Sequence, residues 1–277
     1  MRPIRVALSG SGTKLGAHIG ALQAIVDAGY TIVELAGTSG GSIVSALYAC
    51  GMPLSVMHDL ALKMDWSSMM AMSPLSILRF HGWCSGDNLL AFLQMKTHMK
   101  TFAELDIDLT IVASDISNEV PFLFSKKLSP AVPVALAARS SASIPIVFAP
   151  VLIGDAVLND GGMVVNLPVD LLTNDDVPRI GIELTGKRSP LKPGKYGLNK
   201  VIPHLIDLMI QSTEDAHISI GKMQGAVIAQ VDSGWASSLD RKMPLDVRQR
   251  LFDAGYAATK DALLGVKPQA QLEEVSS

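Results

Sequence analysis

Cysteine is scarce in this chain. Two in 277 residues, Cys50 and Cys84, cannot build a disulfide framework, and they suit a reducing compartment. Positive charge is not in excess either. Against 26 acidic residues stand 23 lysines and arginines, and a formal net charge of -3 leaves no basic stripe to replace the counterions of a nucleic acid. The short clusters Lys126-Lys127 and Lys187-Arg188 read as solvated loops. No group of histidines, cysteines and carboxylates has metal-ligand spacing, so neither a metal nor another cofactor is expected. Apolar runs such as residues 144–154 are too short to span a bilayer, and the N-terminal one breaks at Ser9-Gly10, too soon for a cleavable signal peptide. The expectation is a soluble protein, cytoplasmic or peripheral to a membrane, with secretion by a signal-independent route left open. No linker rich in proline, glycine and serine divides the chain, and 48% hydrophobic residues supply a large core. Residues 1–265 therefore read as a single domain and 266–277 as a flexible tail.

What the chain does have is glycine where apolar runs end. Gly37-Thr38-Ser39-Gly40-Gly41 lies between the apolar stretch 32–36 and the helix-like stretch 42–50. This is a G-x-S-x-G elbow with a strand before it and a helix after it. Such a turn crowds its flanks and forces unusual backbone angles on its centre, so Gly37 and Gly41 let the Ser39 hydroxyl project clear of the sheet. The helix N-terminus behind it favours negative charge.

Upstream, residues 4–9 read as a buried strand, followed by Gly10-Ser11-Gly12-Thr13-Lys14-Leu15-Gly16 and a helical stretch through His18 and Leu22. A glycine-rich turn at a strand end exposes backbone N–H groups that can hold a phosphate or an oxyanion. Far downstream, Asp160-Gly161-Gly162 places a carboxylate at the end of a short apolar run. Alone, that tripeptide is a turn signal; its weight comes from the other two segments.

The three segments together resemble the patatin-like phospholipase family, lipolytic acyl hydrolases with a Ser-Asp dyad. Gly10, Gly12 and Lys14 fall on that family's oxyanion loop, Gly37, Ser39 and Gly41 match its elbow, and Asp160, Gly161 and Gly162 with Asn166 and Pro168 resemble its aspartate motif. Residues 139–145 are similar to the segment that leads into the aspartate strand, and the likeness covers most of residues 4–170. Two departures stand out: Ser11 replaces the loop's middle glycine, and Leu15 stands where a glycine usually follows the basic residue. They put in doubt which amides of Gly10, Ser11, Gly12, Thr13 and Lys14 form the oxyanion hole.

The resemblance implies a three-layer α/β/α fold with a central, mainly parallel sheet and a helical cap. It implies Ser39 as nucleophile and Asp160 as base, acting on a phospholipid or other acyl-ester lipid through an acyl-serine intermediate, in a phospholipase A type of reaction. Peripheral membrane contact fits such a substrate, and the need for a protein activator is not legible. A serine hydroxyl needs a base within hydrogen-bond reach, and an aspartate with an ordinary pKa is a weak one, so a partly dehydrated site would have to raise its basicity. The Lys14 side chain could orient the loop, meet a phosphate headgroup or stand in solvent.

Three alternatives remain at this level. A Ser39-Asp160-histidine triad could draw on His204 or His217, although the serine follows only the second strand, unlike the α/β-hydrolase order. A Rossmann-type phosphate loop at Gly10, Gly12 and Gly16 with Glu34 as the later acid is approximated, with spacing one residue too long. An inactive patatin-like scaffold that only binds lipid is the third. Elsewhere, the pattern predicts helices from Pro53 to about Met64, from Asp87, over 132–139, over about 200–223 and over 245–264. It predicts strands at 109–114, 121–124 and 226–231. Met64, Met69, Met70 and Met72, with Trp66 nearby, crowd together as a core segment or as an adaptable, lipid-facing cap.

Overall fold

The computed structural model describes residues 2–71, 82–186 and 216–266, with a few isolated positions between 193 and 208. The first apolar run forms β1 (Arg2–Leu8), helix α1 (Leu15–Asp27) carries the chain back, and β2 (Tyr30–Thr38) pairs with β1 in parallel, Leu8 opposite Gly37. Parallel neighbours require such a crossover, and it leaves the carboxyl ends of both strands on the same side of the sheet. After β2 come α2 (Gly40–Ala49), α3 (Leu54–Lys63), the single turn α4 (Trp66–Met69), β3 (Gly82–Cys84) and α5 (Asp87–Lys96). The chain then re-enters the sheet as β4 (Asp108–Asp115) and folds back as β5 (Val120–Ser125). Next are α6 (Val134–Ser141), β6 (Ile146–Phe148), β7 (Val151–Ile153) and β8 (Ala156–Asp160), and finally β9 (Arg179–Thr185), β10 (Val227–Asp232) and α7 (Leu245–Ala262).

The main sheet has the order β10-β9-β1-β2-β4-β8-β7, with β5 on the outer edge of β4; β3 and β6 form a separate two-stranded sheet. From β10 to β4 the pairs are parallel, and from β4 outward they are antiparallel. Alternation along β1 separates the two faces. Ile4, Val6 and Leu8 enter the large core with α1, α2 and α7, while Ala7 and Ala36 enter a second core with Leu167, Val169, Leu172 and Ile218. A sheet covered on both faces reads as nearly continuous apolar sequence, which is why residues 4–8 and 32–36 look unbroken. The result is an α/β layering with a mostly parallel sheet.

Within the described residues, the elements expected from the sequence differ mainly at their ends. The 132–139 helix runs instead from Val134 to Ser141, because the chain before it is held by Pro133 in an extended conformation. Most of the expected 200–223 helix lies outside the described residues, and 216–223 is helical. Of the expected tail, Val266 is instead buried, its amide donating to the Leu263 carbonyl at 3.2 Å, and residues 267–277 lie outside the described residues.

One feature of the topology sets up the site. Residues 110–112 of β4 pair with β5 on one edge and with β2 on the other, ending at Thr38 opposite Val112. The next residue, Ala113, pairs with Phe122 of β5 and with Asp160 of β8. A strand has two edges, so β8 must continue the line that β2 vacates.

Candidate active site

Ser39 is the residue at which β2 turns into α2, with φ 52° and ψ -124°. A non-glycine residue there is strained by about 1–3 kcal/mol and persists only where its surroundings over-determine it. Here three hydrogen bonds do so. Its amide donates to Ser141 Oγ at 2.8 Å, and its carbonyl accepts from Ser42 Oγ at 2.6 Å and from the Ile43 amide at 3.2 Å. Gly41 allows the turn to press against β1: a Cβ on it would stand 2.5 Å from the Leu8 carbonyl oxygen and 2.4 Å from that of Ser9.

The hydroxyl so presented donates to Asp160 Oδ2 at 2.6 Å. The carboxylate is fixed on every side. Its Oδ1 accepts from the Gly162 amide at 2.8 Å, its main-chain carbonyl accepts from Ser114 Oγ at 2.6 Å, and its amide donates to the Ser143 carbonyl at 2.9 Å. Gly161 and Gly162 open the short turn that brings that amide round. Both Ser39 and Asp160 are buried. Loss of water pushes the Asp160 carboxyl up to about 6, against the opposing pull of the hydrogen bonds from Ser39 and Gly162. A carboxylate with that pKa is a stronger base than an exposed aspartate and is still ionised at neutral pH.

The loop after β1 stands beside this pair, and most of its amides are already engaged. Gly10 N donates to Asn166, at 3.1 Å to Oδ1 and 3.2 Å to the carbonyl; Thr13 N donates to the Ser238 carbonyl and Lys14 N to the Ser11 carbonyl. Among the described residues, the amides of Ser11 and Gly12 donate to nothing. Gly12 has φ 56° and lines the same cavity as Ser39 and Gly40. Of the five expected oxyanion residues, Ser11 and Gly12 are the two whose amides have no acceptor among the described residues, while those of Gly10, Thr13 and Lys14 are engaged within the fold.

Of the three roles open to Lys14, the structure shows the one within the loop: its side chain is buried, not in solvent, and donates from Nζ to Ser233 Oγ at 2.8 Å, which ties the loop to the segment after β10. His18 is buried on α1, where its Nε2–H donates to the Ser9 carbonyl at 2.8 Å, and burial lowers its pKa to about 4, which keeps the ring neutral.

In front of Ser39 is a partly open cavity whose walls include Ile43, Trp66, Met70, Leu89, Ile144 and Phe148. Met64, Trp66 and Met70 are buried, Met69 packs against the core, and Met72 lies outside the described residues. The described part of the methionine cluster thus faces inward, toward the core and this cavity, and not outward as a lipid-facing cap.

The other candidates are occupied elsewhere. Glu34 accepts from Arg5 at 2.5 Å and from the Thr173 amide, so it is a structural ion pair within the sheet. His217 bonds Asp170 at 2.9 Å, and His204 makes no hydrogen bond to Ser39, whose partner is Asp160. Among the described residues, no group of three or more histidines, cysteines and carboxylates could hold a metal, and no helix is long and apolar enough to cross a membrane.

Sequence reasoning missed Ser114, Ser141 and Ser143, and it gave Asn166 no role in holding Gly10. The signal was present in Arg139-Ser140-Ser141-Ala142-Ser143. Every residue of that stretch is buried, and hydroxyls buried at such density need partners. Arg139 donates to the Ser143 hydroxyl and to the carbonyls of Ser85, Gly86 and Ala149, which packs the stretch against β3 and β6.

Comparison with known proteins adds the family context. The family model described as patatin-like phospholipase matches residues 6–173. Protein R571 of Acanthamoeba polyphaga mimivirus is 26% identical over 94% of this chain and 93% of its own length. The NTE family protein Rv1063c of Mycobacterium tuberculosis is 28% identical over 76% of this chain and 56% of its own length. Among solved structures, VipD from Legionella pneumophila superposes with a TM-score of 0.56 at 14% identity, over 95% of this chain and 66% of VipD, a likeness of fold.

Proposed function

The chain belongs to the patatin-like phospholipase family, which supports a lipid hydrolase, and from that premise we propose that it cleaves fatty acyl esters of phospholipids through a Ser39-Asp160 dyad. The observation that carries this reading is the 2.6 Å hydrogen bond from Ser39 Oγ to Asp160 Oδ2 at the wall of an apolar cavity.

The chemistry follows from that contact. Ser39 Oγ attacks the ester carbonyl carbon while its proton passes to Asp160, and the carbonyl oxygen becomes an oxyanion. The amides of Ser11 and Gly12, with the N-terminal end of α2, supply donors to it. Collapse of the tetrahedral species breaks the ester C–O bond, and the leaving alcohol takes the proton from Asp160. Water then attacks the acyl-serine, giving its proton to the same carboxylate, and fatty acid leaves as Ser39 regains its hydrogen. The apolar walls at Ile43, Leu89, Ile144 and Phe148 suit a hydrocarbon chain.

The test is direct. Wild-type protein and Ser39→Ala are incubated with mixed phospholipid vesicles, and the products are identified by mass spectrometry. Fatty acid and lysolipid from wild type alone support the proposal; intact lipid in both overturns it.

A further inference from the structure

A second cavity lies behind the one that holds Ser39. It is small, and its walls include Leu15, Ala61, Met64, Met243 and Leu251 together with the polar Thr13 and Arg248. The two spaces have two residues in common, Thr13 and Trp66, so these side chains form the partition between them. Thr13 is held in place by the loop, its amide bonded to the Ser238 carbonyl. Trp66 is the large side of the partition. The one charged wall of the rear cavity, Arg248, has its guanidinium bonded to the carbonyls of Ala61, Leu62, Met64 and Met243, so its donors are already satisfied.

We propose that Trp66 is the floor of the acyl-binding cavity and sets the longest acyl chain the site accepts, the space its ring vacates when cut back joining the small one behind it to lengthen the site. The inference rests on the lipid acyl hydrolase reading above. Its physical basis is that apolar walls gain free energy with each methylene they cover, until a rigid group blocks the next one. Trp66 is 6% exposed, and its indole N–H donates to nothing among the described residues, so the ring is held by packing alone. The backbone of its turn is held independently of the ring. Ser67 N donates to Asp65 Oδ1 at 2.9 Å, Met70 N to the Trp66 carbonyl at 2.9 Å, and Asn88 Nδ2 to the Ser68 carbonyl at 2.8 Å. Removing the indole therefore strands no buried polar partner and leaves the turn its own bonds.

The experiment measures kcat/KM for p-nitrophenyl esters from butanoate to hexadecanoate in one detergent system. Wild-type protein, Trp66→Ala, the milder Trp66→Leu and the double variant Trp66→Ala/Met243→Trp are compared, each checked for folding by thermal melting. The expected result is a rise of about tenfold or more in the hexadecanoate-to-butanoate ratio for Trp66→Ala, as several further methylenes find cover. A smaller rise is expected for Trp66→Leu, and a return toward wild type when Met243→Trp refills the rear space. A wild-type chain-length profile in a folded Trp66→Ala or Trp66→Leu protein overturns the inference while leaving the hydrolase reading intact. Absence of Ser39-dependent hydrolysis of any ester in wild type overturns the hydrolase reading, and this inference with it.

Discussion

Ser39 and Asp160 are 121 positions apart in the chain and meet end to end along one edge of β4. Thr38 is the last residue of β2 to pair with β4, opposite Val112, and Asp160 takes the next place, opposite Ala113. The antiparallel entry of β8 is what makes this possible. A parallel strand in that line would present its other end to the elbow.

Removing either partner should abolish turnover without unfolding the chain. For Ser39→Ala and Asp160→Asn we expect losses of about a thousandfold or more in kcat, the scale on which a nucleophile or its base acts. A fluorophosphonate probe should label wild-type Ser39 and leave the alanine variant unmarked. Near-normal turnover by folded Ser39→Ala protein would contradict the assignment.

Burial of Asp160 should appear twice in the pH dependence. The base must be ionised to take the proton, so kcat/KM should rise with pH through an apparent pKa near 6 and level off above it. For stability the sign is opposite to the usual aspartate. The folded pKa lies above the unfolded one, so the ionised form destabilises the fold above about pH 6, by up to about 3 kcal/mol, and the effect vanishes below about pH 4. Asp160→Asn should therefore melt several degrees higher than wild type at pH 8 and at nearly the same temperature at pH 4. A lower melting temperature for the variant at pH 8 would contradict the burial argument.

Ser141 holds the elbow by its amide, so Ser141→Ala should leave the Ser39 N–H buried and unpaired. A cost of about 1–3 kcal/mol in stability is expected. Relaxation of the strained turn should lower kcat by at least tenfold with little change in KM, and fluorophosphonate labelling should slow in proportion. Unchanged labelling would show that the elbow holds its shape without this bond.

Gly12→Ala tests the oxyanion loop. A Cβ at that position would stand 2.1 Å from the Ser238 carbonyl oxygen, on a residue with φ 56°. The loop must shift, and with it the two amides left unengaged, so kcat should fall by about a hundredfold or more. Wild-type kinetics would assign the oxyanion donors elsewhere.

His217→Ala should keep most of the activity, because its partner is Asp170 and the Ser39 hydroxyl is bonded to Asp160. Chelators should not inhibit. A thousandfold loss in the folded variant would instead indicate a histidine in the proton path.

The local sequence determined the parts that depend on nearest neighbours. An apolar run that ends in Gly37-Thr38-Ser39-Gly40-Gly41 before a helix-like stretch has few ways to turn, and the elbow was legible for that reason. So were the strands at 109–114 and 121–124, because each is a short run rich in strong β formers. Likewise Asp160-Gly161-Gly162 read as a strand ending in a turn, and the resemblance to a known family tied it to the serine.

Tertiary structure alone decided which neighbours the loop amides and side chains would have. Nothing in Gly10-Ser11-Gly12-Thr13-Lys14 says that Asn166, Ser238 and Ser11 itself would occupy three of its amides and leave two. Nor does the sequence show that Lys14 would be buried against Ser233. The serines at 114, 141 and 143 look like ordinary polar residues until the fold buries them and aims their hydroxyls and carbonyls at Ser39 and Asp160. The methionine cluster is the same case in reverse: its composition leaves both a core segment and a lipid-facing cap open, and only packing shows Met64, Trp66 and Met70 turned inward. Backbone conformation follows from short-range sterics that a few adjacent residues carry. Hydrogen-bond partners, burial and the pKa of a carboxylate follow from contacts between segments far apart in the chain, and those exist only once the sheet has closed around them.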